Sequence, residues 1–347
     1  MSNRPVILLA TMSAVLALAG CGGGGAGGSG SGTTGGATGG TGTTSDASSS
    51  DASTSDTGTS DSGTSGTVSV SHAQGTTEVP LSPDRVVVLD YGALDTIHAI
   101  GEADSVVGTS LNVLPDWLDA FADTTDVGTL QEPDLEAITL LDPDLVIVGF
   151  RSAAQYQSLS SRWPTVDVTF VPTEGWQEGV LDAARIIGEV YGAEDEVQAG
   201  GEELAAEIER VSALVPEDSR TLVLSTSAGE VTTYGPASRF GLLYTVLGME
   251  PALESVADDS HGQVISFETI RETNPDWIFV NDRDAAIGAG TAGQAAGEVL
   301  NTPLVTETTA WQEDHVVYLE PSRWYLAQHG LANSLAMVTE VGEALAQ

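Results

Sequence analysis

The chain encodes an α/β protein: two lobes with mixed or parallel central sheets flanked by helices, joined by one long bridging helix, with a ligand cleft between the lobes. Three observations predict this. From Val68 onward, short β-branched runs alternate with helical patterns, as in a parallel or mixed sheet. One pattern then occurs twice: Glu136-Ala-Ile138 leading to Pro143-Asp144-Leu-Val-Ile-Val148, and Glu268-Thr-Ile270 leading to Pro275-Asp276-Trp-Ile-Phe-Val280. Between the copies lies a long helical stretch, Trp176 to Tyr191 and then Glu194 to Val215, broken near Gly192 and stopped by Pro216.

Not all of the 347 residues are lobe. Residues 1–21 carry an arginine near the start, an apolar run from Val6 to Leu18, and then Leu18-Ala19-Gly20-Cys21, the pattern of an export signal. The run is short for a spanning helix, which needs ~20 residues. Cys21 is the single cysteine, so it has no internal disulfide partner, and it stands where bacterial lipoproteins are cut and lipidated. It reads as a diacylglyceryl anchor, which places the protein on the extracytoplasmic face of the cell membrane. Residues 22–66 are almost entirely Gly, Ser, Thr, Ala and Asp and cannot build a core. As a coil they reach roughly 35–40 Å, enough to lift a domain off a membrane surface.

The folded part divides into an N-terminal lobe at 67–192, a bridging helix at 193–215 and a C-terminal lobe at 216–347. Strands are expected at Arg85 to Leu89, Leu145 to Val148, Thr169 to Val171, Thr221 to Leu224, Trp277 to Val280 and Val316 to Leu319. Leu331, Leu335, Val338, Val341 and Leu345 keep helical spacing and predict an amphipathic closing helix.

Charge excludes one class of partner. With 50 acidic residues against 11 basic ones and a formal net charge of −39, nucleic acid is ruled out. Every basic residue is arginine, and the acidic, lysine-free composition suits work in high salt. Such scarcity raises the chance that each arginine has a specific task.

Ligands of open α/β sheets bind beyond the carboxyl ends of the strands. Arg151 and Arg283 fall there, at the same offset past Glu136 and Glu268, and Arg239 falls at a loop-to-helix start in the second lobe. Three converging guanidiniums would bind a multiply charged anion, although Asp282 and Asp284 offer Arg283 local neutralisation instead. His261 has no counterpart in the first copy, where Thr129 stands, and Tyr325 is its aromatic companion near the end of the chain. An imidazole and a phenolate suit ferric iron; a capping histidine and a core tyrosine are the plain alternative, and the residues alone leave both open. Glu136 and Glu268 each fall in a first helical turn, a favourable place for a carboxylate, and they also form one acidic knob per lobe for a partner.

From about Thr67 to the end, the chain resembles the periplasmic-binding-protein family that serves iron-siderophore ABC transporters. The resemblance is carried by Gly128-Thr-Leu-Gln-Glu-Pro-Asp-Leu-Glu136, Leu141-Asp-Pro-Asp-Leu-Val-Ile-Val148, Ser238-Arg-Phe-Gly241, the His261 block, Asn274-Pro-Asp-Trp-Ile-Phe-Val-Asn-Asp-Arg283 and Val317-Tyr-Leu-Glu-Pro-Ser-Arg-Trp-Tyr325. The last set is most similar to the catecholate-type branch. The resemblance implies little hinge motion, and contacts from Arg151, Arg239 and Arg283 to an anionic ferric catecholate. It implies that His261 and Tyr325 complete the iron shell when the siderophore supplies four oxygens. It also implies that Glu136 and Glu268 salt-bridge to arginines of the ABC permease, that the protein is a monomer, and that ferric iron arrives within its siderophore, with no intrinsic cofactor. One departure stands out: where the family runs into glycines after the Trp-Tyr pair, this chain has Gln328-His329-Gly330, and His329 either crowds the cleft mouth, adds a donor or points away.

Other classes fit less well. There is no Gly-x-Ser-x-Gly elbow and no His-Glu-x-x-His zinc helix. Gly288-Ala-Gly290-Thr-Ala-Gly293 matches a dinucleotide fingerprint but stands too far past its strand for the tight turn that chemistry requires. An enzyme or a surface adhesin is therefore disfavoured, and carriers of haem, cobalamin or a hydroxamate siderophore are the nearest rivals.

Overall fold

Four apolar residues in a row, Val86–Leu89, are all fully buried, as a strand covered on both faces must be. Each such side chain contributes about 1.5–3 kcal/mol by leaving water. In the computed structural model, which describes residues 66–171, 175–256, 262–288 and 295–347, that strand is the centre of the first lobe. A hairpin of β1 (Thr67–His72) and β2 (Gly75–Pro80) precedes it. Then come β3 (Val86–Leu89), α1 (Tyr91–Ala99), β4 (Val106–Thr109), β5 (Thr125–Asp126), α2 (Leu135–Leu141), β6 (Leu145–Val148), α3 (Tyr156–Ser160) and β7 (Thr165–Asp167). Strands β3 to β7 form a parallel sheet in the order β5-β4-β3-β6-β7.

The strand expected at Thr169 to Val171 lies earlier, at Thr165–Asp167. Asp167 ends it: its carboxylate accepts the Thr169 N–H at 3.0 Å and the Thr169 hydroxyl at 2.6 Å, a side-chain turn that competes with the ladder.

After α4 (Trp176–Tyr191) and α5 (Glu194–Ser212), the second lobe contains β8 (Arg220–Ser227), β9 (Glu230–Tyr234), β10 (Glu250–Pro251), β11 (Gln263–Val264), α6 (Phe267–Thr273), β12 (Trp277–Asp282) and α7 (Arg283–Ala286). Short helices α8 (Ala296–Leu300), α9 (Pro303–Thr306) and α10 (Thr309–Gln312) lead to β13 (Val316–Tyr318), α11 (Pro321–Leu326) and α12 (Leu331–Leu345). This sheet is mixed, in the order β11-β9-β8-β12-β13, with β10 pairing β8. Alternation along β12 splits its core: Trp277 and Phe279 pack on one face, Ile278 and Val280 on the other.

The duplicated helix-strand units are built alike. The Asp134 carboxylate accepts the N–H groups of Glu136 and Ala137, and the Ser266 hydroxyl accepts that of Thr269, each satisfying donors at a helix start. Ile138 and Ile270 are fully buried beneath the two helices. Both helices end on a left-handed residue, Asp142 (φ 47°) and Asn274 (φ 43°). An arginine at the start of the adjacent strand closes each one: Arg85 donates to the Leu141 carbonyl and Arg220 to the Asn274 carbonyl. The duplication is thus wider than the Glu-to-Arg pattern, and it assigns two scarce arginines to helix ends.

The bridge differs from the expectation of 193–215. Trp176, Val180 and Ala184 of α4 belong to the second lobe's core, while Ala183, Ile186, Ile187 and Val190 belong to the first. Among the apolar residues of α5, Val197, Leu204, Ile208 and Val211 join only the second. The bridging helix is therefore α4, because its two apolar faces are buried in different lobes. Helix α5 itself ends at Ser212, before Pro216.

A polar seam runs beside the bridge, between α1 of the first lobe and the segment entering α12 of the second. The Asp95 carboxylate accepts the Asn333 N–H at 2.8 Å, Thr96 Oγ1 accepts the Leu331 N–H at 3.1 Å, and His329 Nε2 lies 2.6 Å from Asp90 Oδ1. His329 thus points away from the cleft mouth and is buried. The close approach depends on Gly92, where a Cβ would fall 2.5 Å from His329 Nε2 and 2.9 Å from the Gly330 nitrogen. Gly92→Ala is expected to destabilise the fold by about 1–3 kcal/mol through overpacking; a urea melt with an unshifted midpoint would contradict this. Among the described residues no helix is long and apolar enough to cross a membrane; Cys21 and most of the 22–66 segment lie outside them.

Candidate functional site

Two neighbouring dipeptides each send one side chain inward and one toward the cleft. Phe240 and Trp324 are buried and stacked, with ring centroids 6.2 Å apart and planes at 17°. Their neighbours Arg239 and Tyr325 meet at the surface between the lobes, with the guanidinium carbon 5.0 Å from the ring centroid. A π-type turn, Leu242–Val246, follows Arg239 and Phe240 and buries Leu242 and Leu243. Tyr325 lies on α11, which starts with Pro321 behind the capping carboxylate of Glu320.

Arg151 and Arg283 approach the same ring, their guanidinium carbons 5.0 and 5.7 Å from its centroid. Arg283 donates from Nε to the Tyr325 hydroxyl and from a terminal nitrogen to Ser227 Oγ, both at 2.9 Å. The carboxylates on either side of it are engaged elsewhere: Asp282 accepts the N–H groups of Ala285 and Ala296, and Asp284 accepts the Ser227 hydroxyl and the Ala228 N–H. Arg151 crosses from the first lobe and donates to the main-chain carbonyls of Tyr325 and Leu326. The residue before it, Phe150, has φ 43°, a left-handed conformation that costs a side chain roughly 1–2 kcal/mol.

The structure thus brings together Arg151, Arg239, Arg283 and Tyr325, all partly buried. Two cavities flank them, of about 290 and 240 Å³, and Arg283 and Tyr325 line both. Ser110, Asn112 and Gln131 are among the polar residues lining the first, and Ser225, Glu230, Thr232 and Tyr234 among those lining the second. These polar linings were not singled out from the sequence, although Asn112 and Gln131 follow β4 and β5, where the rule on carboxyl ends of strands points.

Electrostatics couple the four side chains. Burial pulls the Arg151 guanidinium below its ordinary pKa, and the nearby charge of Arg239 acts in the same direction. For the Tyr325 phenol, burial acts upward, but the Arg283 hydrogen bond and the charges of Arg283, Arg239 and Arg151 together hold it below the ordinary phenol value. Three cations thus surround one phenol, and their charge works against its proton.

Glu136 and Glu268 occupy equivalent exposed positions in the first turns of α2 and α6. His261 lies outside the described residues, as does most of the Gly288-to-Gly293 segment. Among the described residues no group of three or more His, Cys, Asp or Glu side chains could hold a bare metal ion.

Known proteins match this chain over most of its length. The petrobactin-binding protein YclQ of Bacillus subtilis is 35 % identical over 288 residues, 80 % of this chain and 88 % of the relative. Its crystal structure superposes with a TM-score of 0.77, covering 81 % of this chain and 99 % of that one. The periplasmic catecholate-siderophore binding protein VctP of Vibrio cholerae has a TM-score of 0.74 at 32 % identity, covering 80 % and 99 %. The ferric-anguibactin-binding protein FatB of Vibrio anguillarum is 29 % identical over 79 % of this chain and 86 % of its own. The periplasmic binding protein family itself matches residues 86–322. With its two α/β lobes and the cleft between them, the chain belongs to the periplasmic binding protein family.

Proposed function

We propose that this protein captures a ferric siderophore of the catecholate type and delivers it to an ABC permease for iron uptake, as a monomer lipid-anchored through Cys21 on the extracytoplasmic face of the cell membrane. The observation that carries the reading is the ring of Arg151, Arg239 and Arg283 around Tyr325. A ferric catecholate is a compact polyanion of the kind such a ring binds by charge-assisted hydrogen bonds. Tyr325 and His261 would coordinate the iron of a tetradentate complex. The relatives bearing siderophores in their names support the ligand class.

Tryptophan quenching against ferric tetradentate and hexadentate catecholates, a ferric hydroxamate, haem and cobalamin tests this. Expected are binding of a ferric catecholate and, for the tetradentate complex, a change in its charge-transfer band that is lost in Tyr325→Phe and weakened in His261→Ala. Absence of binding to every ferric catecholate would refute the ligand class.

Glu136 and Glu268 would dock on the permease. Changing both to Gln is expected to abolish uptake in cells while leaving ligand affinity within about twofold; normal uptake by the double variant would refute the docking role.

A protein of net charge −39 repels an anion at long range, so the arginines act only near contact. Stopped-flow association of a ferric catecholate is therefore expected to accelerate as salt rises from ~0.01 to ~0.15 M and the Debye length shrinks from about 30 to 8 Å. A rate that falls steadily with salt would contradict the long-range repulsion.

A further inference from the structure

His329 lies outside the linings of both cavities, and its surroundings give it a task. Its ring is buried, 2.6 Å from Asp90 on one edge, and lies 4.0 Å centroid to centroid from Phe150. Phe150 is otherwise held by the edge of Phe170 at 5.2 Å and by its own N–H, which donates to Thr169 Oγ1 at 2.7 Å. It is the left-handed residue at the end of the first lobe's central sheet, and Arg151 is next in the chain. A phenylalanine adopts that backbone only where its surroundings over-determine it. Here the nearer of the two rings packed on it, the imidazole, comes from the other lobe.

The same stretch of the second lobe grips Arg151 directly through the carbonyls of Tyr325 and Leu326, just before His329. Residues 150 and 151 are therefore fastened at two points to residues 325–329: the ring at one, the guanidinium at the other. A long arginine side chain loses much rotamer freedom when fixed, and a turn locked beforehand lowers that cost at binding.

We propose that His329, oriented by Asp90, is a positioning residue for Arg151: it braces the Phe150 turn from the opposite lobe and so aims the guanidinium at the Tyr325 ring. Arg323 and Asn333 lie further along the same seam, where they bind each other rather than the imidazole. The imidazole thus acts as an interlobe strut and sets the distance between Arg151 and the other two guanidiniums.

A double-mutant cycle tests this, and its binding arm rests on the ferric-ligand reading above. His329→Gln keeps a donor for Asp90 but removes the ring, and Phe150→Leu leaves the Asp90 pair intact while removing the ring contact. Each is expected to weaken a ferric tetradentate catecholate about tenfold in the parent protein and less than about twofold in an Arg151→Ala background. An equal loss in both backgrounds means general damage to packing and overturns the proposal, as does no loss in either variant. A second arm needs no ligand: the Nε–Hε order parameter of Arg151, identified by its absence in Arg151→Ala, is expected to fall in both variants toward that of the exposed Arg162. If the parent protein binds no ferric catecholate, this arm alone decides. An Arg151 side chain as rigid in His329→Gln as in the parent overturns the strut.

Discussion

Arg283→Ala is expected to weaken binding of a ferric catecholate by about 3 kcal/mol, roughly 150-fold, the size seen when one partner of a desolvated, hydrogen-bonded charge pair is removed. Arg283 acts at two places at once. Its guanidinium lines both cavities, and its Nε bond to the Tyr325 hydroxyl is the foremost of the influences that oppose burial and hold that phenol below its ordinary value. Without it the phenol titrates higher, and ferric iron must displace a more tightly held proton. Affinity for a tetradentate complex, in which iron has positions open to Tyr325, should therefore fall more steeply than that for a hexadentate one. Lysine is expected to restore little, since one ammonium cannot span the Tyr325 and Ser227 oxygens as the planar fork does. Arg162→Ala is the matched control: Arg162 lies over Trp163, outside the linings of both cavities. Isothermal titration that finds Arg283→Ala within twofold of the parent would remove Arg283 from the site.

That site was partly legible in the sequence, and the division has physical causes. Arg151 and Arg283 stood out because each follows an apolar strand in a duplicated unit, and strand ends of α/β sheets are where ligands bind. Arg239 and Tyr325 stood out through motifs. Their meeting depends on Phe240 stacking against Trp324, a contact between distant segments that no local periodicity encodes. The orientation of His329 is not legible for the same reason: its partner Asp90 lies in the other lobe. The bridge falls on α4 and not on α5, although both are long and apolar-striped, because only packing shows which stripe is shared between two cores. The acidic first turns of α2 and α6 announce these short helices, whereas the arginines closing their carboxyl ends come from the start of other strands and carry no local signal.

Asp90→Ala is expected to be the most destabilising single change in the seam between the lobes, at about 3–5 kcal/mol, because it leaves the buried imidazole without its partner. It also removes the side chain that caps α1 by accepting the Ala93 N–H at 2.9 Å. Against a typical total of about 5–15 kcal/mol, such a loss should lower the melting temperature by roughly 10 °C. The pH dependence separates this carboxylate from its neighbour. For Asp90, burial acts upward, but the charge and hydrogen bond of His329, with the Ala93 N–H, outweigh it and hold the group below the ordinary carboxyl range. A depressed folded value means stability that is present above the unfolded value near 3.9 and is lost as pH falls through the folded one. Asp95 runs the other way: burial pushes it up to about 6, against the opposing pull of the Asn333 N–H and Arg323. Its raised value favours the fold while the carboxyl is protonated, and that contribution declines as pH rises from about 3.9 to about 6. Urea unfolding from pH 3 to 8 should accordingly show the parent losing stability on the acid side through Asp90. In Asp90→Ala that acid loss is expected to flatten while the decline between pH 4 and 6 persists. An Asp90→Ala curve parallel to the parent at every pH would mean that the pair with His329 contributes no charge stabilisation to the interlobe seam.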